Sequence, residues 1–211
     1  LHSFRPRRSS DLSDVTKFPI IDAMLSVPRE TFVPDDKREA AYVGENLTLA
    51  PGRVVLEART LAKLLDGLDI QPTELVLDVG CGLGYSSAVI ARLAETVVAL
   101  EEDEGLAADA QRILSEAGVD NAVTVTGKLA EGSATCAPYD VITIQGGVEA
   151  IPAAILSQLK DGGRIGAIFM ENAVGTARIG YKAAGQVTWR SIFNAAAPVL
   201  PGFAKPRGFT L

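Results

Sequence analysis

Leu75-Val76-Leu77-Asp78-Val79-Gly80-Cys81-Gly82-Leu83-Gly84-Tyr85 is an apolar run that stops at three alternate glycines. The helix-forming run Ser86-Ser87-Ala88-Val89-Ile90-Ala91-Arg92-Leu93 follows at once. A strand breaking into such a turn before a helix reads as a loop that receives a nucleotide cofactor, because residues without a bulky Cβ let the backbone approach an adenosyl group closely. Glycine spacing separates the families of such loops. A dinucleotide fingerprint asks for glycine at the first, third and sixth positions; here the sixth is the bulky Tyr85. Glycine falls at the fifth instead, and Asp78 stands two residues ahead of Gly80.

The arrangement Asp-x-Gly-x-Gly-x-Gly resembles the loop of S-adenosylmethionine-dependent methyltransferases, which makes Asp78, Gly80, Gly82 and Gly84 candidate cofactor residues. A second carboxylate supports that reading. The short apolar run Thr96-Val97-Val98-Ala99-Leu100 ends at Glu101, where a parallel neighbour of the first strand would present an acceptor to a ribose. One carboxylate can accept two hydroxyl protons at once. Glu102 and Asp103 read as solvated charges. A nicotinamide oxidoreductase is the distant alternative, disfavoured by Tyr85 and by the lack of a histidine placed to give a proton: the only histidine is His2.

Composition sets outer bounds. At 211 residues, 47% of them apolar, the chain can bury one good core and needs no second. A net charge of −6 argues against broad attraction to nucleic acid or to an anionic membrane. Apolar runs are short and broken by charge or glycine, so no span is expected. Cys81 and Cys136 are too few and too far apart in kind for a disulfide framework or a metal site. A reducing, cytoplasmic setting without a metal is therefore expected.

Along the chain, Val15 to Val27 reads as a helix closed by Pro28, and residues 27 to 34, with two prolines, as an extended connector. Lys37 to Tyr42 reads as a helical turn, Thr48 to Ala58 as turn-like around Pro51-Gly52, and Arg59 to Leu68 as an amphipathic helix. Beyond Glu101, Gly105 to Ala117 is a helix capped by Gly118, Val123 to Thr126 a strand, Tyr139 to Ile144 a strand, Ile151 to Leu159 a helix and Arg164 to Met170 a strand. Ala177 to Lys182 and Gln186 to Phe193 read as an antiparallel edge hairpin around Gly185. This rhythm specifies an α/β fold: a doubly wound, mainly parallel, Rossmann-like sheet with an antiparallel C-terminal hairpin and an N-terminal helical extension. Residues 1–10, arginine-rich and lacking an initial methionine, are set aside as an altered or disordered end; 11–211 form one domain. Within it, 11–70 is the substrate-side segment, 71–170 the cofactor core and 171–211 the edge strands and wrap. Tyr85, Trp189 and Phe203 are expected in packing rather than in a shared aromatic box.

Val27-Pro28-Arg29-Glu30-Thr31-Phe32-Val33-Pro34, Ala41-Tyr42, the loop itself, Ala137-Pro138-Tyr139-Asp140, Ile151-Pro152 and Gln158-Leu159-Lys160-Asp161-Gly162-Gly163-Arg164 together resemble protein-L-isoaspartate O-methyltransferase. The resemblance runs from about Asp14 to the end of the chain. It implies a class I methyltransferase that moves a methyl from S-adenosylmethionine to the free carboxyl of isoaspartyl residues in damaged proteins, leaving S-adenosylhomocysteine. The alternative is a non-catalytic module that binds the same cofactor. Two departures stand out. Where the family carries a threonine and a serine against the substrate carboxyl, in an element resembling G-x-T-I-S-x-P, this chain reads Gly52-Arg53-Val54-Val55-Leu56-Glu57-Ala58, so those positions are Val54 and Leu56. Neither donates a hydrogen bond, and Arg53 is the candidate replacement anchor, with Thr48 and Thr60 behind it. The family's acidic residue near the adenine corresponds to Lys128, which leaves the backbone of Leu129 as the cofactor contact there.

Overall fold

A computed structural model describes Val15 and residues 17–206. The reading of residues 1–10, and His2 with it, lies outside the described residues. The helices are α1 (Phe18–Ser26), α2 (Ala58–Leu68), α3 (Tyr85–Ala91), α4 (Glu104–Glu116) and α5 (Ala153–Ser157). The strands are β1 (Leu47–Ala50), β2 (Arg53–Val55), β3 (Leu75–Val79), β4 (Thr96–Glu101), β5 (Ala122–Thr126), β6 (Tyr139–Val148), β7 (Leu159–Glu171), β8 (Val174–Ala183) and β9 (Gln186–Asn194). β1 and β2 form a separate small hairpin, and the other seven make one sheet in the order β5-β4-β3-β6-β7-β8-β9.

β3 pairs in parallel with both β4 and β6, β4 with β5, and β6 with β7, whereas β8 runs antiparallel to β7 and β9 antiparallel to β8. The strand order reverses between β3 and β6, and in an open α/β sheet that switch point opens a crevice beyond the strands' carboxyl ends. Alternation along the strands feeds two cores. Val76, Val97 and Val141 join α1, α2 and α3 on one face; Leu77, Val79, Val98, Leu100, Ile142 and Ile144 join Ile155 of α5 on the other. With both faces covered, these strands read as nearly continuous apolar runs.

Local signals explain most element ends. In α2, Leu61, Leu64, Leu65 and Leu68 recur at helical spacing and are all buried. Asp103 caps α4 by accepting the Leu106 N–H at 2.9 Å, and Gly118 closes it at φ +69°. The β8–β9 turn sits on Ala184 and Gly185, both at positive φ, and β9 is one of the sheet's two edge strands, β5 being the other.

Four expectations need correction. Residues 27–34 are not wholly extended, since Arg29–Phe32 forms a 3-10 turn between the prolines. The stretch from Thr48 is not merely a turn; it contains the β1–β2 hairpin. The helix expected over Ile151 to Leu159 is only Ala153–Ser157, because Leu159 already opens β7. β6 and β7 both run longer than the apolar cores that announced them. Among the described residues, no helix is long and apolar enough to cross a membrane.

Candidate functional site

The site grows from the carboxyl end of β3. Gly80, Gly82 and Gly84 have φ of +79°, +58° and +94°, a backbone path that residues with a Cβ rarely adopt. The turn is fastened to the next strand: the Gly80 and Cys81 N–H groups donate to the Leu100 carbonyl at 2.8 and 3.2 Å. The Gly82 N–H donates to Glu101 Oε2 at 2.8 Å. Strand pairing thus delivers Asp78 and Glu101 to the same bend from neighbouring parallel strands, and both are fully buried.

Asp78 is held by three donors. Ser86 and Ser87, in the first turn of α3, each give a hydroxyl proton to Oδ2 at 2.6 Å, and Gln145 Nε2 donates to Oδ1 at 2.7 Å across the switch point. Gln145 Nε2 also donates to the Thr143 hydroxyl at 3.1 Å. Burial raises the Asp78 carboxyl above its ordinary value; the three donors pull it back, and the nearby Glu101 charge adds to the rise. The Cys81 thiol is pushed well up, by burial first and then by Asp78 and Glu101, so it stands protonated and unreactive.

Glu101 carries the densest set of contacts. Besides Gly82, the Glu102 and Asp103 N–H groups donate to Oε1 at 2.9 and 3.1 Å. Arg53 of β2 then grips both oxygens, Nη1 to Oε1 and Nη2 to Oε2, each at 2.5 Å. The arginine side chain is 7% exposed and the glutamate 0%, so the pair is dry. Arg53 Nε is buried without a partner. Expected as an anchor for a substrate carboxylate, Arg53 instead holds a carboxylate of its own chain.

Space tells the same story. The void bounded by Val54, Val55, Leu56, Leu61, Gly80, Cys81, Tyr85, Ser86 and Gln145 is about 10 Å³, on the order of one water, where a small-molecule pocket measures roughly 300–1,000 Å³. A Cβ built on Gly82 would lie 2.5 Å from the end of Leu49, and one on Gly80 would lie 3.3 Å from Leu200 and 3.4 Å from Arg53. The clearance that glycine provides is thus taken up by the β1–β2 hairpin and by the tail. The tail is strapped down by Gly147, whose N–H donates to the Pro198 carbonyl at 2.7 Å and whose carbonyl accepts the Leu200 N–H at 2.9 Å. Two roomier hollows, about 300 and 420 Å³, lie elsewhere and are lined by neither Asp78 nor Glu101. Volume therefore points away from the chemistry, and the carboxylates and the positive-φ loop are the stronger guide. In donor and acceptor character the cradle suits an adenosyl group; its mouth is closed by Arg53, Leu49 and Leu200.

Other expected residues fall as follows. Leu129 is fully buried, its side chain near Gly80, and its N–H donates to a Glu102 carboxylate oxygen at 3.2 Å. Glu102 is exposed, as expected of a solvated charge, and accepts this one bond besides. Lys128 turns outward, 72% exposed, toward Glu131 at 3.3 Å. Thr60 donates its hydroxyl to Glu57 at 3.1 Å, and Thr48 sits exposed on β1 opposite Val54. Val54 and Leu56 are buried and line the small void. Tyr85 packs against Phe32, Trp189 edge-on against Phe169 and Phe203 in the core under the tail, so the three form no common box.

Ser86, Ser87 and Gln145 escaped sequence reasoning. Two hydroxyls directly after the glycine turn were an available signal; Gln145, inside β6, offered none. Arg29 was also missed as a structural hub. It is 1% exposed, donates from Nε to the Ala41 carbonyl at 2.7 Å and from Nη2 to the Leu56 carbonyl at 2.8 Å, and lies 4.8 Å over the Tyr85 ring.

The chain matches the family model described as protein-L-isoaspartate(D-aspartate) O-methyltransferase over residues 12–184. A protein-L-isoaspartate O-methyltransferase of Pelotomaculum thermopropionicum is 34% identical over 146 residues, 69% of this chain and 64% of that relative, so the match spans a little under two thirds of the relative's length. A solved protein-L-isoaspartate O-methyltransferase superposes with a TM-score of 0.78 at 23% identity, over 89% of this chain and 63% of that one. A Plasmodium falciparum chain assigned to the same activity, solved with S-adenosyl-L-homocysteine, gives 0.77 at 16% identity, over 89% of this chain and 92% of that one. At those identities the two structures speak for the fold alone. With the family model covering most of its length, and the glycine bend between two buried carboxylates, this chain belongs to the protein-L-isoaspartate(D-aspartate) O-methyltransferase family.

Proposed function

We propose that the chain is an S-adenosylmethionine-dependent protein carboxyl O-methyltransferase that acts on the free carboxyl of isoaspartyl residues in damaged proteins. The observation that carries the proposal is the positive-φ bend at Gly80–Gly84 with Gly82 donating to Glu101 and Asp78 buried beside it. The cofactor, when bound, supplies an electrophilic methyl: the carboxylate oxygen–carbon bond forms, the carbon–sulfur bond breaks, and the sulfur keeps the electron pair. The ester would then collapse to a succinimide that partly re-forms normal aspartyl linkages.

No proton need leave the acceptor. A carboxylate with pKa near ~4 is already ionised at neutral pH, so the chain needs no general base. Its residues have to align and desolvate. Glu101 would offer the ribose its acceptors once Arg53 releases them, Asp78 is kept in one orientation by Ser86, Ser87 and Gln145, and Leu129 packs on the loop. Val54 and Leu56 supply apolar walls and no donor. A desolvated carboxylate missing one donor loses on the order of 1–3 kcal/mol, which slows turnover by roughly ten- to a hundredfold. A reducing, cytoplasmic setting belongs to the same reading, supported by the free Cys81 and Cys136.

A second reading, a cofactor-binding module without methyl transfer, is favoured by one observation: Val54 and Leu56, buried on the small void, give a substrate carboxylate no hydrogen-bond donor. Transfer of labelled methyl from S-adenosylmethionine to an isoaspartyl peptide, set against its aspartyl twin, separates the two. Label on the isoaspartyl peptide alone supports the enzyme; binding without transfer to either supports the module.

A further inference from the structure

We propose that Arg53 competes with the cofactor for Glu101, so that S-adenosylmethionine or S-adenosylhomocysteine enters only when the β1–β2 hairpin lifts and the Arg53–Glu101 pair breaks. The inference rests on the cofactor reading given above and concerns what sets the affinity of that site.

Three observations converge. First, Glu101 is saturated: three backbone N–H groups and both terminal nitrogens of Arg53 already meet its two oxygens. A ribose diol needs those oxygens as acceptors, so the guanidinium and the diol cannot both have them. Second, Arg53 lies against the loop itself, its Nη2 3.4 Å from where a Cβ on Gly80 would stand, and Leu49 from the same hairpin closes on Gly82. One rigid-body motion of residues 47–55 would therefore clear the ribose acceptor and the loop together. Third, the hairpin is a separate unit, seated on the core through Leu47, Val54 and Val55 and tied by few polar bonds. Apart from Arg53, its side-chain and flanking bonds run from Lys37 to the Thr48 carbonyl, from Arg29 to the Leu56 carbonyl, from Asn46 Nδ2 to the Ala196 carbonyl, and from the Glu57 N–H to Asn46 Oδ1. β1 and β2 pair only with each other and join no strand of the main sheet.

Arg53 Nε, buried and unpartnered, marks the cost of the closed arrangement. A lysine could not replace this arginine. Its ammonium is a point charge without the planar fork that engages two carboxylate oxygens in parallel. Removing the guanidinium takes two of the five donors off Glu101 and frees an acceptor position on its oxygens for a ribose hydroxyl.

Titration calorimetry of S-adenosylhomocysteine with the whole chain tests this, using wild type, Arg53→Ala and Arg53→Lys, each checked for fold by circular dichroism. The expected result is that Arg53→Ala binds about tenfold more tightly, equivalent to ~1.4 kcal/mol, with Arg53→Lys in between. Without ligand Arg53→Ala should melt below wild type, and saturating S-adenosylhomocysteine should raise its melting temperature more than it raises that of wild type. If Arg53→Ala fails to fold, Arg53→Gln carries the comparison. Equal affinity within twofold, or weaker binding by the folded variant, overturns the competition while leaving the cofactor reading intact. No binding by any form at millimolar ligand overturns the cofactor reading, and the inference with it.

Discussion

Replacing Arg29 with methionine tests whether the Val27–Pro34 segment is a structural strut for the site. The guanidinium ties two stretches that are distant in sequence: Nε reaches the Ala41 carbonyl at 2.7 Å and Nη2 the Leu56 carbonyl at 2.8 Å, where the chain leaves β2. Methionine keeps most of the stem's packing and removes both donors. Hydrogen bonds to charged groups are worth ~1.5–3 kcal/mol each, and a buried carbonyl left alone incurs its desolvation cost. The stacking of the cation on Tyr85 adds ~0.5–2 kcal/mol. Against this, burial already weighs on the guanidinium and lowers its pKa, and that penalty disappears with the charge. The net loss should be about 2–4 kcal/mol. For a chain of this size each kcal/mol moves the melting temperature by about 2–4 °C. Urea denaturation of Arg29→Met beside wild type should show a lower midpoint with an unchanged slope, and Arg29→Lys, which can keep one carbonyl, should lie between them. A shift of less than ~0.5 kcal/mol in Arg29→Met, within the range of a neutral surface change, would refute the strut.

Other substitutions test other parts. Gly147→Ala places a Cβ 2.4 Å from the Ala197 carbonyl and 2.7 Å from Met170 Cγ, so the tail must shift; ~1–3 kcal/mol should be lost, and limited proteolysis should cut residues 195–206 faster. For Asp78 the sign follows from its raised carboxyl: the folded chain binds that proton more tightly than the unfolded one. Its contribution to stability is therefore fully present below the ordinary value of 3.8 and is lost as pH rises through the higher folded value. The stability of Asp78→Asn relative to wild type should accordingly improve between about pH 3.5 and pH 7, and a flat difference in urea midpoints would count against it. Tyr139→Phe removes the 2.6 Å bond to the Ser133 carbonyl and should lower the unfolding free energy by ~1–2 kcal/mol; thermal melts identical to wild type would show that the bond is not formed in solution.

The parallel core was readable because its signals are local. An apolar run, a glycine turn and a helical period each lie within about a dozen residues, and β3, β4 and α4 begin and end close to where those signals do. What escaped was either short or distant. β1 and β2, at four and three residues, carry too few positions for alternation to show, and β2 is buried throughout. The 3-10 turn at Arg29–Phe32 was masked by the prolines on either side, which favour extended neighbours. The shortness of α5 was hidden because apolar residues of a helix end and of a following buried strand look alike.

The site divides along the same line. Asp78, Glu101 and the glycines are legible from spacing, since the chemistry of a nucleotide loop demands them near one another in sequence. The partner of Arg53 is not. Glu101 lies 48 positions away, and nothing local to a Gly-Arg-Val turn says which carboxylate it will meet. Gln145, 67 positions from Asp78, is silent for the same reason, since only the switch point between β3 and β6 brings them together.

The strap of Pro198 and Leu200 across Gly147 has a consequence for biosynthesis. The bend and its two carboxylates leave the ribosome well before the tail that covers them, by roughly 5–20 s for about 100 residues at ordinary elongation rates. The Arg53 hairpin, by contrast, precedes both. A nascent chain should then hold its carboxylate gripped from one side while the bend, which Leu200 later covers at Gly80, is still open on the other. Translation, on this account, fits the lid before the seal.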